Sequence, residues 1–528
     1  MTDFTWDGTG DGVSWSDPLN WDLDSGIPDD AGDRAIFDAT ADAVVTGAAR
    51  TIGELQMNAG FTGSLTQTVG SLTIDDSGAH DGSFNVDAGT FDANDLDINI
   101  DGDFDLDSAG TIVMGSGIWT VNGSWDHDAG TITEETSTIR MTGTGESITG
   151  GTGSARQLAT VEIFAGATIT GFNFRPSTLT VNGTLTMTGG ARAQVTSLLT
   201  MGASGLITGA GAVRMTSGST ITVGSGTIDT AILDLHGNIT INPGTYGSTT
   251  VTGSPQTTGA RTITFASGTF IFSGDVIYQA HGSGSNPYTV NKSSNNPNVT
   301  YNGDFTIAEP AAPIVVYNKG TGVITLAGTA LQIITSLGKS LNDITITNVS
   351  AGGIRLSDIT DTDKLTANTT AGDVLLIHAT GVSHTIDEYV RTGAGTNFFK
   401  HLSVTGGVQY TVATVGNRSV DFFDVKDSNM SGGTYTVSDG VDGGNNSANW
   451  IFLAVLNPIV VVEQGFDRNP TVVVTLTVKG DLVGSQVFRF SPKLGKPLNL
   501  QYDTDIRPYL LGDPRGRPTR IKPDKALT

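Results

Sequence analysis

The residues from 111 to 150, TIVMGSGIWTVNGSWDHDAGTITEETSTIRMTGTGESITG, constrain the fold more than any other stretch of this chain. Runs of three to five residues alternate apolar positions with Thr, Ser or Asn, and each run is closed by Gly, Asn or Asp. Thr111 to Met114, Ile118 to Val121, Thr131 to Thr133 and Thr138 to Met141 are such runs. Period-two alternation sends one set of side chains inward and the other outward, and β-branched residues suit a pleated, half-buried surface. Gly-Ser-Gly, Asn-Gly and Asp-Ala-Gly supply the positive φ that sharp corners need. Nowhere does an apolar stripe at helical spacing persist for three turns. The expectation is an all-β, repetitive chain.

Composition narrows the architecture. Of 528 residues, 70 are Gly and only 37% are hydrophobic, too few for a thick two-layer core of this length. A solenoid needs less, because each coil buries a thin inward row against its neighbours and stability accumulates coil by coil. Disorder is the competing explanation for so much Gly, Ser and Thr. Regular strand alternation and a charged fraction of only 15% argue against it. With about twenty residues per coil and about 4.8 Å per rung, some twenty coils would make a rod about 100 Å long.

Charge is distributed unevenly. Residues 1–130 hold 25 Asp and Glu against 2 Lys and Arg, so nearly the whole net charge of −25 belongs to that region. Such a surface disfavours nucleic acid and anionic membrane and attracts divalent cations. The absence of Cys excludes disulfides and thiolate metal sites. The opening MTDFTWDGTGDG has neither a basic nor an apolar leader segment, so it reads as no secretory signal. The longest apolar run, Ile451 to Val462, is too short to span a bilayer.

Trp6, Trp15 and Trp21 sit among Gly and Asp near the start, where large rings would cover the open end of a solenoid. Carbohydrate stacking on exposed Trp is the alternative. Further on, DLDINIDGDFDLD (95–107) alternates strictly, with Asp95, Asp97, Asp101, Asp103, Asp105 and Asp107 opposite Leu96, Ile98, Ile100, Phe104 and Leu106. Read from Asp97, it imitates an EF-hand loop, yet its twelfth position is Ser108 instead of Glu and no helical pattern flanks it. Strands with an acidic outer ladder are the better reading. Asp97, Asp101, Asp103 and Asp105 are then candidates for a structural calcium bridging like charges on stacked coils.

The chain divides into an N-terminal Trp-rich cap (1–40), an acidic-to-neutral solenoid (41–300), a second solenoid segment (301–452), a small β domain (453–505) and a basic, Pro-rich arm (506–528). The divisions follow Pro-rich seams near Asn286-Pro287, Asn296-Pro297 and 308–313, and a change of style after Trp450. In the arm, Arg507, Arg515, Arg517, Arg520 and Lys522 lie among Pro, Leu and Tyr. That mixture favours docking onto another protein of an assembly over contact with nucleic acid.

Catalytic signatures are thin. The seven His are scattered without metal-ligand spacing, and neither a nucleophile elbow nor a phosphate loop follows a strand. Among 53 carboxylates, sequence does not single out a glycosidase pair. No catalytic or cofactor residue is assigned, and polysaccharide hydrolysis stands as the minority reading.

The motif Trp-x-Gly-x-Gly followed by Trp-Ser-Asp-Pro-x-Asn-Trp, spanning Trp6 to Trp21, resembles the opening of large β-solenoid proteins of bacterial surfaces and bacteriophages. Ile118 to Trp125, Gln332 to Thr335, Gly338 to Ile346, Val420 to Ser428 and Asp442 to Phe452 resemble repeats of the same group. The resemblance implies a right-handed, parallel β-helix-like shaft and homotrimeric assembly. It also implies a non-enzymatic role at a virion surface, as a tail fibre or spike that meets a host glycan or receptor and joins other virion proteins through its C-terminal region. Capsid decoration or a head fibre, a depolymerase tailspike and a bacterial adhesin are the rivals, since this architecture serves many functions.

Overall fold

The computed structural model describes residues 2–38, 40–151, 156–224, 226–247, 249–253, 261–279, 287–309, 314–393 and 395–453, and the strands at 456–462, 472–478 and 487–490. The chain forms two compact units, Met1–Leu453 and Ala454–Thr528.

The first unit is a β-solenoid, as the alternation predicts. Its coils are three-sided. Strands Arg175–Val181, Thr184–Met187 and Arg192–Val195 make one turn, and Leu198–Met201 and Leu206–Thr216 the next. Every strand-to-strand ladder described in this unit is parallel, with partners one coil apart: 18 residues from Thr160 to Thr178, 27 from Thr264 to Asn291. Between Arg50 and Asn318 one side is a 13-stranded sheet, and Arg418–Asp421, Tyr435–Ser438 and Trp450–Phe452 form a sheet of three near the far end. The other two sides, together with strands of the coils beyond Asn318, join into a 34-stranded sheet because long strands bend through the corners. In Leu206–Thr216, residues 206–209 pair with Thr184–Met187 and 212–215 pair with Arg192–Val195. Gly209 makes that bend at φ 100°, and a Cβ there would collide with the Met187 carbonyl.

In-register stacking turns alternation into a core. Ile52, Ile74, Ile100, Val121, Met141, Ile163, Val181 and Met201 pair successively up one side, and all are buried. Each such side chain contributes about 1.5–3 kcal/mol relative to remaining exposed. A row three ångströms along the strand on either side faces outward, which is why Thr suffices there. The ladders cross residue 300 without interruption: Val276 pairs with Phe305, and Phe305 with Ile334.

The N-terminal end is closed by residues 7–32. Trp21 bridges Trp6 in antiparallel fashion, and Asp22 N–H donates to the Thr5 carbonyl, covering the outer edge of Thr2–Trp6. Trp15 N–H donates to the Val45 carbonyl, and Val45 N–H to that of Val13, covering Ala43–Val45. Trp6, Trp15 and Trp21 are buried against Phe37, so their faces are not available to a sugar. A short 3₁₀ turn, Pro18–Asn20, capped by the Asp17 side chain, sets this loop.

In the second unit, Leu456–Val462, Val472–Val478 and Val487–Phe490 form an antiparallel sheet. Pro458 sits in the first strand, which among the described residues pairs on one side only, the position a residue without an N–H tolerates. Leu498 to Tyr502 and the arm residues Arg507, Arg515, Arg517, Arg520 and Lys522 lie outside the described residues.

Candidate functional site

The acidic stretch folds as two strands on different sides of one coil. Ile98–Ile100 pairs with strands at 72–74 and 119–121, and Phe104–Val113 with strands at 84–92 and 125–133, but the two do not pair with each other. The four calcium candidates therefore point to different neighbours. Asp97 Oδ1 accepts the Ile118 N–H at 2.8 Å and Asp103 Oδ1 the Ser124 N–H at 2.7 Å, each tying its corner to the coil that follows. Asp101 meets Asp75 and Asp76, one carboxylate oxygen from each lying within 4.8 Å of the others. Burial raises the Asp101 pKa, with the Asp76 and Asp75 charges adding to it. Burial likewise raises Asp105, followed by the charges of Asp107, Asp126, Asp87 and Asp128. An all-carboxylate donor set suits a hard divalent cation. Of the four expected ligands only Asp101 belongs to the group with that geometry, because the chain turns a corner within the run that sequence alternation presents as one face.

The solenoid brings together His residues that look scattered in sequence. His378, His384 and His401 are all buried inside the coils at 374–403. His378 Nε2 and His401 Nδ1 are 3.4 Å apart with ring centres at 5.7 Å, so the nitrogens face one another along the line joining the rings. That is the geometry of a long N–H···N contact, whereas ligation would have two lone pairs converge on a third point. Tyr410 stacks on His378 at 3.9 Å, and His384 Nδ1 accepts the Thr360 N–H. Burial drives all three imidazoles down: His384 to about 4, His401 to about 3, and His378 well below its ordinary value with the other two rings adding. They are neutral at pH 7 and unsuited to acid–base work there.

The described surface is concave beside the same coils. A cleft of about 460 Å³ is lined by Val349, Ser350, Ala351, Asp373, Leu375, Asn397 and Lys400. A smaller one of about 190 Å³ lies over Glu388 to Arg391 and Arg418 to Asp421. Arg391 of the smaller cleft is bonded to the loop that gives Asn397 to the larger. Arg391 Nε donates to the Asn397 carbonyl at 2.9 Å and Nη2 to that of Gly395 at 2.8 Å, and its guanidinium lies 4.7 Å from the Phe422 ring centre. Phe398 meets Phe422 edge to face at 5.9 Å.

No protein-family model, curated protein or solved structure matches this chain. Its own geometry is therefore the guide to what the corner does. Each cation has a carboxylate beside it: Lys400 with Asp373 at 2.6 Å, Arg391 with Asp421 at 3.4 Å, Arg418 with Glu388 at 3.3 Å. The Lys400 hydrogen bond holds the Asp373 carboxyl below its ordinary value, while burial raises that of Asp424, which stacks on the other side of Lys400. Asp373 Oδ1 is already occupied by the Phe398 N–H. The arrangement presents alternating donors and acceptors beside two partly exposed rings. Asp421, Phe422 and Asp424 fall in the Val420 to Ser428 stretch that carries the resemblance, but none of these residues was assigned to a site, since they are contributed by successive coils whose spacing only the register reveals. The Arg-to-aromatic and Asp-to-Lys relations carry no local motif.

Proposed function

We propose that the chain is a non-enzymatic structural protein of a bacteriophage particle, a tail fibre or spike-like appendage that meets the host surface as a homotrimer. The observation carrying this reading is the uninterrupted solenoid, closed at its N-terminal end and followed by a separate C-terminal unit. A stack of coils held by continuous ladders resists bending and sets surface contacts at fixed intervals, which suits many weak contacts acting together. The basic, Pro-rich arm with Arg507, Arg515, Arg517, Arg520 and Lys522 is the part assigned to other virion proteins. In this reading the molecule works by shape and multivalency, without cofactor and without catalysis.

Immunogold labelling of purified phage particles with an antibody raised to residues 455–528 tests the assignment. Gold on the tail is the expected result. Gold on the capsid would replace the tail fibre with a head fibre or decoration protein, and particles that carry none of the chain would overturn the virion reading altogether.

A further inference from the structure

Phe422 is the starting point. A bulky residue at φ 53° is strained, and such strain persists only where the surroundings enforce it, most often where a side chain must be aimed. Here the enforcement is visible. Phe422 N–H donates to the Ser438 carbonyl at 3.1 Å and its own carbonyl accepts the Phe399 N–H at 3.0 Å, locking the residue between two coils. The outcome is that its ring stays at the surface beside Phe398, whereas its neighbour Phe423 enters the lumen fully buried. Arg391 is fixed beneath it by two carbonyls, with its side chain only 5% exposed.

We propose that this corner is a subsite for a neutral saccharide, with the Phe398 and Phe422 rings taking the apolar face of a pyranose and Asn397, Asp373 and Lys400 taking its hydroxyls. The proposal rests on the host-contact reading above and names the chemistry of that contact. Neutrality follows from the pairing of charge. Each cation at the corner has a carboxylate beside it, so a charged ligand would meet a like charge next to every opposite one. Vicinal hydroxyls donate and accept together and match such donor–acceptor pairs without breaking them. The rings supply what an ion-pair surface lacks, an apolar platform for the C–H face of a sugar. The larger cleft, with Ser350 and Asn397 in its lining, extends the same chemistry to a second residue of an oligosaccharide.

The test titrates the full chain calorimetrically with hexasaccharides of glucose, mannose, galactose and N-acetylglucosamine, with polygalacturonate as the acidic probe. Saturation-transfer NMR reads which sugar protons approach aromatic rings. The variants are Phe398→Ala and Phe422→Gly, the second chosen because Gly accepts φ 53° and keeps the corner's backbone. Binding of at least one neutral probe, weakened tenfold or more in both variants at unchanged Tm, is the expected result. Silence from every neutral probe, binding of polygalacturonate alone, or wild-type affinity in both variants would overturn the proposal. If particles carry the chain but neutral sugars do not bind, the saccharide subsite falls and the appendage reading stands. If sugars bind but particles lack the chain, the reverse holds.

Discussion

Single residues show where this fold is stressed. Asp105 is held above its ordinary pKa by burial and by neighbouring carboxylates, so it adds stability while protonated and loses that contribution as pH rises through the folded value. Asp105→Asn should therefore raise Tm at pH 7, with the gain shrinking towards pH 4, as followed by thermal melts across that range. Lys292 poses the opposite problem. Its amine is fully buried, 3.0 Å from the Tyr301 hydroxyl, with the Phe265, Tyr301 and Tyr317 rings 5.1–5.4 Å away. Burial lowers its pKa to about 7. Because the unfolded chain holds that proton up to about pH 10, stability should rise with pH between 7 and 10 in the wild type. Lys292→Met should abolish the slope and match or exceed wild-type stability at pH 6, since a well-packed apolar side chain replaces an amine lacking a carboxylate. Denaturant titrations at pH 6, 7, 8.5 and 10 check both statements. The sequence marks Asp105 only as a calcium candidate in an acidic ladder and does not mark Lys292, which sits in a Ser- and Asn-rich patch.

At the scale of elements, alternation made the strands legible and register was hidden. Ile118–Val121, Thr131–Thr133, Thr138–Met141, Thr184–Met187 and Leu198–Met201 fall on runs visible in the sequence, because β-branched alternation is a local property. Which strand stacks on which is not local. The coil length varies, so the meeting of His378 with His401, or of Asp97 with Ile118, is decided by loops that carry no period. The cap was legible for a physical reason: an open solenoid end must be covered, and three clustered Trp are the large apolar groups available to do it. Trp15 packs 4.9 Å from Trp21 and donates its Nε1–H to the Pro28 carbonyl. Trp15→Ala should cost about 3–5 kcal/mol and uncover the first rung, giving concentration-dependent association as well as a lower Tm. Light scattering during a thermal melt, at two protein concentrations, separates these effects.

Over the whole solenoid, charge and burial give different segments different responses to acid. Near residues 98–113 the carboxylates of Asp101 and Asp105 are raised, so lowering the pH relieves repulsion there. Near 374–403 the imidazoles are depressed, so stability is lost as pH falls from about 6.5 towards the folded values near 4 and 3. Full burial makes the second effect the larger. Hydrogen exchange at pH 7 and 4.5, corrected for intrinsic rates, should show protection falling at 374–403. The central claim, a stack of parallel coils proposed to act as a multivalent appendage, is tested most directly by cryo-electron microscopy of the full chain. The 13-stranded sheet alone should span about 58 Å at about 4.8 Å per rung, with three solenoids in each particle. A compact sandwich without a rung repeat would contradict the fold, and single-chain particles would contradict the trimeric appendage.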